Sequence, residues 1–203
     1  MITILDYGMG NVASIHNMLR KAGFEAVISG DIADIDRADK LVLPGVGAFD
    51  AGMGNLEDRG LTVVLQRRVI EERTPLLGIC LGMQLLTRGS TEGSRAGLGW
   101  MAADTVSFDF GDGAALRIPH MGWNSITARH ETNLIDDTEE QRFYFAHSYH
   151  VRCDNPEDVV ATAGYGIEVT AVMQRDHVIG VQFHPEKSHR FGMQFLTNFA
   201  TAI

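Results

Sequence analysis

The chain has 203 residues, 45% of them hydrophobic and 21% charged, a composition that fits a single globular domain over residues 1–203. Its net charge of −9 argues against a nucleic-acid-binding surface, and no uninterrupted apolar stretch approaches the length of a membrane span. Residues 1–6 lack the basic and apolar regions of a signal peptide, and Cys80 and Cys153 lie far apart in the sequence. We therefore expect a cytoplasmic protein with reduced thiols, bound neither to nucleic acid nor to a membrane.

Apolar runs and helix-spaced segments alternate through the first 90 residues. The runs that predict buried strands are residues 2–5, 26–29, 41–43 and 76–79. The segments whose apolar spacing predicts helices are residues 12–23, 61–72 and 81–86. This alternation predicts an α/β fold with a mostly parallel sheet flanked by helices. Gly8 and Gly10 favour a tight turn over a phosphate cradle, because the third glycine of a dinucleotide motif is replaced by Ala13.

The second half of the chain is rich in short β-like segments. Residues 100–127 and 143–151 predict an added antiparallel β-hairpin region at the edge of the sheet. Residues 168–173 and 177–181 predict two further strands, and the apolar spacing of residues 190–203 predicts a closing helix.

Cys80 stands between two glycines at the junction of a predicted strand and a predicted helix. Gly78-Ile-Cys-Leu-Gly82 has the spacing of a nucleophile elbow, with cysteine in place of serine. Such a turn holds its central residue in a strained backbone conformation, and the flanking glycines let strand and helix pack closely while leaving the sulfur exposed. The N-terminus of the following helix favours the thiolate form. A nucleophile and a buried structural cysteine both fit these residues alone.

A second glycine loop, Pro44-Gly-Val-Gly-Ala-Phe49, follows the third predicted strand. It falls at the sheet edge where the ligand sites of open α/β sheets lie. Glycines there can present backbone N–H groups to a developing negative charge, as an oxyanion hole does. Another tight turn explains the loop equally well until Cys80 is taken into account.

A thiol nucleophile needs a base, and the base needs an orienting group. His184 ends an apolar strand and Glu186 follows two residues later, on the same side of an extended chain. A carboxylate there can fix the imidazole tautomer and favour its protonated form. A strand-end histidine capped by its neighbour is the structural alternative. Three other histidines lack cysteines or carboxylates at zinc-like spacing, so no metal site is expected: His147, His150 and His189.

The segment Ile118-Pro-His-Met-Gly-Trp-Asn124 combines an aromatic residue, a methionine and a histidine within seven residues. A buried turn of the core explains this composition. An exposed patch for a partner explains it equally well, because tryptophan and methionine concentrate at interfaces. Composition alone leaves both interpretations open.

The motifs Gly78-Ile-Cys-Leu-Gly-Met-Gln84 and His184-Pro-Glu186 resemble those of the class I, or triad, glutamine amidotransferases, and the resemblance covers nearly the whole chain. It implies a flavodoxin-like fold of that class, with L-glutamine as substrate and no cofactor. Within the class, several stretches resemble the glutaminase subunits of imidazole glycerol phosphate synthases, which act in histidine biosynthesis. Those stretches are Asp6-Tyr-Gly-Met-Gly-Asn11, Pro44-Gly-Val-Gly-Ala-Phe49, Pro119-His-Met-Gly-Trp-Asn124, Phe145-Ala-His-Ser-Tyr149 and His184-Pro-Glu-Lys-Ser188.

The resemblance implies a role for each matching residue. Cys80 would attack the side-chain amide of glutamine, His184 would shuttle protons, and Glu186 would orient His184. The positions that would supply oxyanion N–H groups are Val46, Gly47 and Leu81. The positions that would hold glutamine are Gln84, Glu92, Ser148 and Tyr149, with Glu92 meeting the α-ammonium.

The resemblance also implies a partner, a (β/α)8-barrel cyclase subunit bound as a heterodimer. The cyclase would receive the ammonia and convert a phosphoribulosyl formimino nucleotide, PRFAR, to imidazole glycerol phosphate and AICAR. The residues that match partner-facing positions are Met121, Trp123, Tyr144 and Lys187. A glycine peptide in residues 44–47 can flip at low steric cost, so we expect an incomplete oxyanion hole until the cyclase binds its nucleotide.

Three other functions remain open at this stage. The chain could be the glutaminase of another amidotransferase, a Cys-His-Glu hydrolase of another amide or ester, or a non-catalytic module that retains the fold. Release of ammonia from glutamine, and its loss on substitution of Cys80, would separate these classes.

Overall fold

The computed structural model describes residues 1–111, 116–136 and 139–202. The strands within these ranges are β1 (Ile2–Leu5), β2 (Ala26–Ser29), β3 (Lys40–Gly45), β4 (Leu76–Cys80), β5 (Ala103–Ser107), β6 (His120–Ala128), β7 (Gln141–His147), β8 (Tyr149–Cys153), β9 (Val159–Tyr165), β10 (Ile167–Arg175) and β11 (Val178–Val181). The α-helices are α1 (Val12–Lys21), α2 (Ile32–Asp36), α3 (Phe49–Asp58), α4 (Leu61–Leu65), α5 (Leu81–Leu85) and α6 (His189–Ala202). A π-helical segment, Gln66–Glu71, continues α4, and short 3-10 turns lie at Pro156–Asp158 and Pro185–Lys187.

One large mixed sheet organises the part of the chain that the structure describes. Its strand order is β2-β1-β3-β4-β11-β10-β9-β6-β7. The strands from β2 to β11 are parallel neighbours, and the remaining four join antiparallel. A separate antiparallel pair is formed by β5 and β8. The predicted α/β class, with a mostly parallel central sheet and an antiparallel region, is confirmed.

Burial explains why the central strands read as unbroken apolar runs. All residues of β1, β4 and β11 are buried, because helices cover both faces of the parallel part of the sheet. The two apolar clusters on either side include Ile4 with Phe195 and Leu43 with Leu81. None of the described helices is long and apolar enough to cross a membrane.

The elements that were not predicted include α3 and β9. Gly52 and Gly54 lie inside α3 and lower its helix propensity. Packing overrides that preference, because a Cβ on Gly52 would lie only 3.1 Å from Leu85 and 3.2 Å from Leu81. Gly52 therefore allows the close approach of α3 to α5, and the same residue makes the helix hard to predict from the sequence.

Residues 118–124 do not form the core turn that composition left open. His120–Ala128 is strand β6, in which His120 and Ile126 are buried and Met121, Trp123 and Thr127 are exposed. Met121 and Trp123 are 63% and 41% exposed, whereas His120 is buried. The exposed-patch interpretation therefore fits, and the buried-turn interpretation is wrong.

The fold brings separate segments to one edge of the sheet. Strands β1, β3, β4 and β11 are parallel neighbours, so their carboxyl ends meet at the same edge. Cys80 is the last residue of β4, and a glycine turn, the second glycine loop and the segment before His184 lie at the ends of β1, β3 and β11. Ligand sites of open α/β sheets lie at this edge.

Candidate active site

Cys80 occupies a sharp turn between β4 and α5. Its backbone has φ 55° and ψ −107°, a strained conformation for a residue with a side chain. A Cβ on Gly78 would lie 2.7 Å from the carbonyl oxygen of Gly82, and a Cβ on Gly82 would lie 1.8 Å from that of Leu43. The turn therefore requires glycine at both flanking positions, as the elbow spacing predicts.

The sulfur is less exposed than the sequence analysis predicted. Cys80 is only 5% exposed, because the walls of a cavity of about 230 Å³ cover it. The cavity also contains Val46, Gly47, Leu81, Gln84, Glu92, Ser148 and Tyr149. Cys80 is thus reached from the cavity, and the predicted oxyanion and glutamine positions lie around that same space.

His184 and Glu186 form a buried pair beside the thiol. Nδ1 of His184 lies 2.9 Å from Oε1 of Glu186, and both side chains are at most 2% exposed. His184 has an extended backbone and directly precedes a 3-10 turn at Pro185–Lys187, on which Glu186 lies. The chain is therefore not extended through Glu186, although the expected contact is present. Ser188 holds this turn, because its Oγ donates to the carbonyl of His184 at 2.6 Å.

The charge of His184 depends on its two neighbours. Burial lowers the pKa of His184, but hydrogen bonds with Cys80 and Glu186, together with the charges of both, outweigh burial and raise the pKa to about 9. The structure therefore favours a protonated His184 ring between the Cys80 side chain and Glu186. Such an arrangement supplies a nucleophile, an acid and an orienting group.

Replacing Glu186 with glutamine should move the titration of His184. The amide keeps the shape but not the charge, so we expect the pKa of His184 to fall from about 9 towards its ordinary 6.5. In the unsubstituted protein, the stabilisation from the raised pKa is complete below pH 6.5 and is lost as pH rises through about 9. NMR titration of the His184 ring measures the change, with exposed Glu139→Gln as the control. An unchanged His184 titration in Glu186→Gln would contradict this account.

The second glycine loop is held at both ends. The Tyr7 hydroxyl donates to the carbonyl of Pro44 at 2.6 Å, and burial raises the pKa of Tyr7, which keeps it a donor. The Phe49 N–H donates to Oε2 of Glu92 at 2.9 Å. Gly47 has φ 111°, a conformation that favours glycine. The backbone of this loop can therefore change conformation only between Pro44 and Phe49, where these two hydrogen bonds hold it.

The predicted partner-facing residues form one surface beside the cavity. Trp123 and Tyr144 are paired across β6 and β7, with ring centroids 6.3 Å apart. Nζ of Lys187 lies 5.7 Å from the centre of the Tyr144 ring. Trp123 also stacks on His189 at 5.4 Å with nearly parallel rings. Met121, on the same face of β6 as Trp123, contributes to the cavity wall.

Sequence reasoning missed four buried polar side chains around the site: Tyr7, His120, His147 and Gln182. Gln182 is fully buried, and its Nε2 lies 3.7 Å from the sulfur of Cys80. A single amide between the apolar residues Val181 and Phe183 was the available signal, because a buried polar group needs a partner. Among the described residues, no group of three or more potential ligands is arranged to hold a metal ion.

A family model described as glutamine amidotransferase class-I matches residues 3–203. The chain belongs to the class I glutamine amidotransferase family. It is therefore an amidotransferase enzyme, and the fold described above is that of a glutamine amidotransferase of this class. The family predicted from the elbow and the His-x-Glu motif is confirmed.

Relatives of this amidotransferase match along its length. The imidazole glycerol phosphate synthase subunit HisH 2 of Methanococcus maripaludis is 51% identical, with 98% of each chain covered. The protein of the same name in Pseudomonas aeruginosa is 47% identical, with all of both chains covered. A solved structure described as glutamine amidotransferase superposes with a TM-score of 0.74 at 18% identity, covering 98% of this chain and 99% of that one, and shows the same fold.

Proposed function

We propose that the chain is the glutaminase subunit of an imidazole glycerol phosphate synthase and acts in histidine biosynthesis in the cytoplasm. The observation that carries the proposal is the Glu186–His184–Cys80 arrangement at a cavity large enough for a small amino acid. The names of the relatives from M. maripaludis and P. aeruginosa support the choice of synthase.

In the proposed reaction, the Cys80 thiolate attacks the side-chain amide carbon of L-glutamine. N–H groups of Val46 or Gly47 and of Leu81 stabilise the oxyanion of the tetrahedral intermediate. His184 gives its proton to the leaving nitrogen, so ammonia departs and a glutamyl thioester remains. His184 then takes a proton from water as the water attacks the thioester, which releases glutamate and restores the thiolate. Glu186 keeps the imidazole oriented through both steps.

The cavity wall suits the amino-acid end of glutamine. Glu92 presents a carboxylate for the α-ammonium, with one oxygen already held by the Phe49 N–H. Ser148 and Tyr149, which follow the end of β7, line the same cavity. Gln84 lines the same cavity, and its Nε2 donates to the Tyr149 carbonyl at 3.0 Å.

The ammonia passes to a (β/α)8-barrel cyclase bound as a heterodimer, which uses it to convert PRFAR to imidazole glycerol phosphate and AICAR. The surface formed by Met121, Trp123, Tyr144 and Lys187 is the proposed docking site. Its exposed methionine and tryptophan are the residue types that concentrate in interface cores. Because Met121 also lines the cavity, docking there would close the site to water.

The docking partner would also complete the oxyanion hole. Tyr7 fixes the Pro44 carbonyl, so a peptide flip is confined to residues 45–47. A missing oxyanion donor costs about 10²–10³ in rate, which would keep the isolated chain nearly idle. We infer that nucleotide binding to the cyclase favours the complete hole.

An ammonia-release assay tests this function. Purified chain is given L-glutamine alone, with the cyclase, and with the cyclase and its nucleotide. We expect slow release from the isolated chain and release about 10²–10³-fold faster from the loaded complex. Equal rates in all three conditions would contradict the proposed switch, and no release in any of them would contradict the glutaminase function.

Replacing Trp123 with alanine should weaken docking. Buried interface tryptophans often contribute 2 kcal/mol or more, so the Kd for the cyclase should rise about 30-fold. Titration calorimetry measures it, with Val63→Ala on α4 as the control because Val63 is equally apolar and even more exposed. A Kd that changes equally little in both variants would remove Trp123 from the interface.

A further inference from the structure

Gln182 lies between the end of β11 and His184, with its side chain fully buried. Its Nε2 lies 3.7 Å from the Cys80 sulfur, and its Oε1 lies 3.2 Å from Nε2 of Gln84. The side chain thus connects the reacting sulfur to the cavity wall. None of the roles proposed above uses it.

A backbone carbonyl decides which end of the Gln182 amide faces the sulfur. The carbonyl oxygen of Tyr149 can only accept a hydrogen bond, so the Gln84 atom 3.0 Å from it must be the NH₂ nitrogen. The same nitrogen approaches Gln182, which must therefore present its oxygen to Gln84. The NH₂ group of Gln182 is left pointing at Cys80. The reverse orientation would place a lone pair against the sulfur.

Two neutral histidines hold that carbonyl in place. Nδ1 of His147 lies 2.8 Å from the Tyr149 carbonyl and must donate to it. Burial lowers the pKa of His147 to about 3 and that of His120 to about 4, so both rings are neutral at pH 7. Nε2 of His147 then accepts from Nδ1 of His120 at 2.9 Å. His120 therefore donates to His147, and His147 donates to the Tyr149 carbonyl.

We propose that Gln182 is a further catalytic residue, whose amide N–H stabilises the Cys80 thiolate by a direct hydrogen bond. The inference rests on the proposed function, because it assigns the attacking sulfur to Cys80. A hydrogen bond to an ionised acceptor is about twice as strong as one between neutral groups. The thiol form has a different partner, because the Cys80 S–H can donate to the Ala146 carbonyl at 3.9 Å. Gln182 therefore favours the thiolate, and Ala146 favours the thiol.

Four titratable side chains surround Cys80 and contribute to its pH response. His184 and the Tyr7 phenol are close enough for their charges to interact with that of Cys80. Glu92 and His147 line the same cavity. Substitution of Gln182 leaves all four in place, so the comparison isolates the amide.

The test measures alkylation of Cys80 by iodoacetamide between pH 5 and 10 in the full chain. Mass spectrometry of the peptides separates Cys80 from Cys153. Gln182→Met keeps the length of the side chain without the donor, and Gln182→Glu keeps its shape with an added carboxylate. We expect alkylation of Gln182→Met at pH 7 to be about tenfold slower, with its midpoint at higher pH, and a larger loss in Gln182→Glu. Exposed Gln194→Met serves as the control.

Glutamine hydrolysis by the loaded cyclase complex gives the second readout. It should fall in kcat by about the same factor in Gln182→Met, because the contact to the nucleophile is lost, and KM should change less, because Gln84 keeps its hydrogen bond to the Tyr149 carbonyl. Alkylation and kcat within twofold of the unsubstituted protein would overturn the role of Gln182 and leave the glutaminase function standing. No hydrolysis by the unsubstituted complex would instead overturn the proposed function.

A measurement on the unsubstituted protein covers the case in which the variants do not fold. The ¹⁵N-labelled side-chain amide of Gln182 should shift when Cys80 is alkylated, because the sulfur then loses its charge. An amide resonance that does not move would overturn the proposed hydrogen bond.

Discussion

Replacing Cys80 with alanine should lower glutamine hydrolysis by on the order of 10⁴–10⁶, while the fold and the docking of the cyclase persist. The loss is large because no other described group could form the thioester from this position in the cavity. Alanine fits the buried site without new contacts, because it keeps the Cβ of Cys80 and lacks only the sulfur. Ammonia release from the loaded complex measures the activity, and titration calorimetry measures the docking.

The matched control is Cys153→Ala. Cys153 is the other cysteine of the chain, and burial raises its pKa to about 11, so it is largely a neutral thiol at pH 7. We expect that variant to keep its activity. Hydrolysis that survives Cys80→Ala, or that is lost in Cys153→Ala, would contradict the assignment of the nucleophile. Ammonia supplied directly should still support the cyclase reaction in the Cys80→Ala complex.

Replacing Gly82 with alanine should destabilise the fold as well as the site. The new methyl carbon would lie 1.8 Å from the carbonyl oxygen of Leu43, so β3 and α5 must separate. Backbone cannot yield as a flexible side chain does, and we expect a loss of about 3 kcal/mol or more in the free energy of unfolding. For a chain of this size that corresponds to a fall in Tm of about 6–12 °C, measured by calorimetry.

Gly164→Ala is the control for this substitution. Gly164 is exposed, and a Cβ there would meet nothing within 4 Å. The Tm of the Gly164→Ala variant should stay within about 2 °C of the Tm of the unsubstituted protein. A Gly82→Ala protein as stable as Gly164→Ala would mean that β3 and α5 are not held at this distance.

The local parts of the site were predictable from the sequence. The elbow depends on residues two positions apart, and strain at Cys80 requires the glycines that the spacing reveals. The contact of His184 with Glu186 is equally local, although its backbone is a turn and not an extended strand. The roles of these residues, and the extent of the domain over residues 1–203, remain predictions.

The long-range parts were not predictable in the same way. Gln182 meets Gln84 and Cys80 across 98 and 102 residues, and only the order of the strands brings them together. Helix α3 was missed because a packing requirement placed glycines where propensity disfavours them. The burial of Cys80 was missed because part of the cavity wall comes from β7 and the residues after it, which lie far from Cys80 in the sequence.

The hydrogen bonds behind the site all donate in the same direction, from His120 through His147 to the Tyr149 carbonyl. This direction restricts which substitutions the site can accept. Asn124 donates to the Gly164 carbonyl at 2.9 Å, and its amide nitrogen lies 3.2 Å from the acceptor nitrogen of His120. An aspartate there would offer a second acceptor to that nitrogen and force the ring to exchange its proton, which would oppose His147. In related sequences, we therefore expect Asn124, His120 and His147 to be retained together with Gln84 and Gln182. Where one of these residues is replaced, we expect the others to be replaced as well.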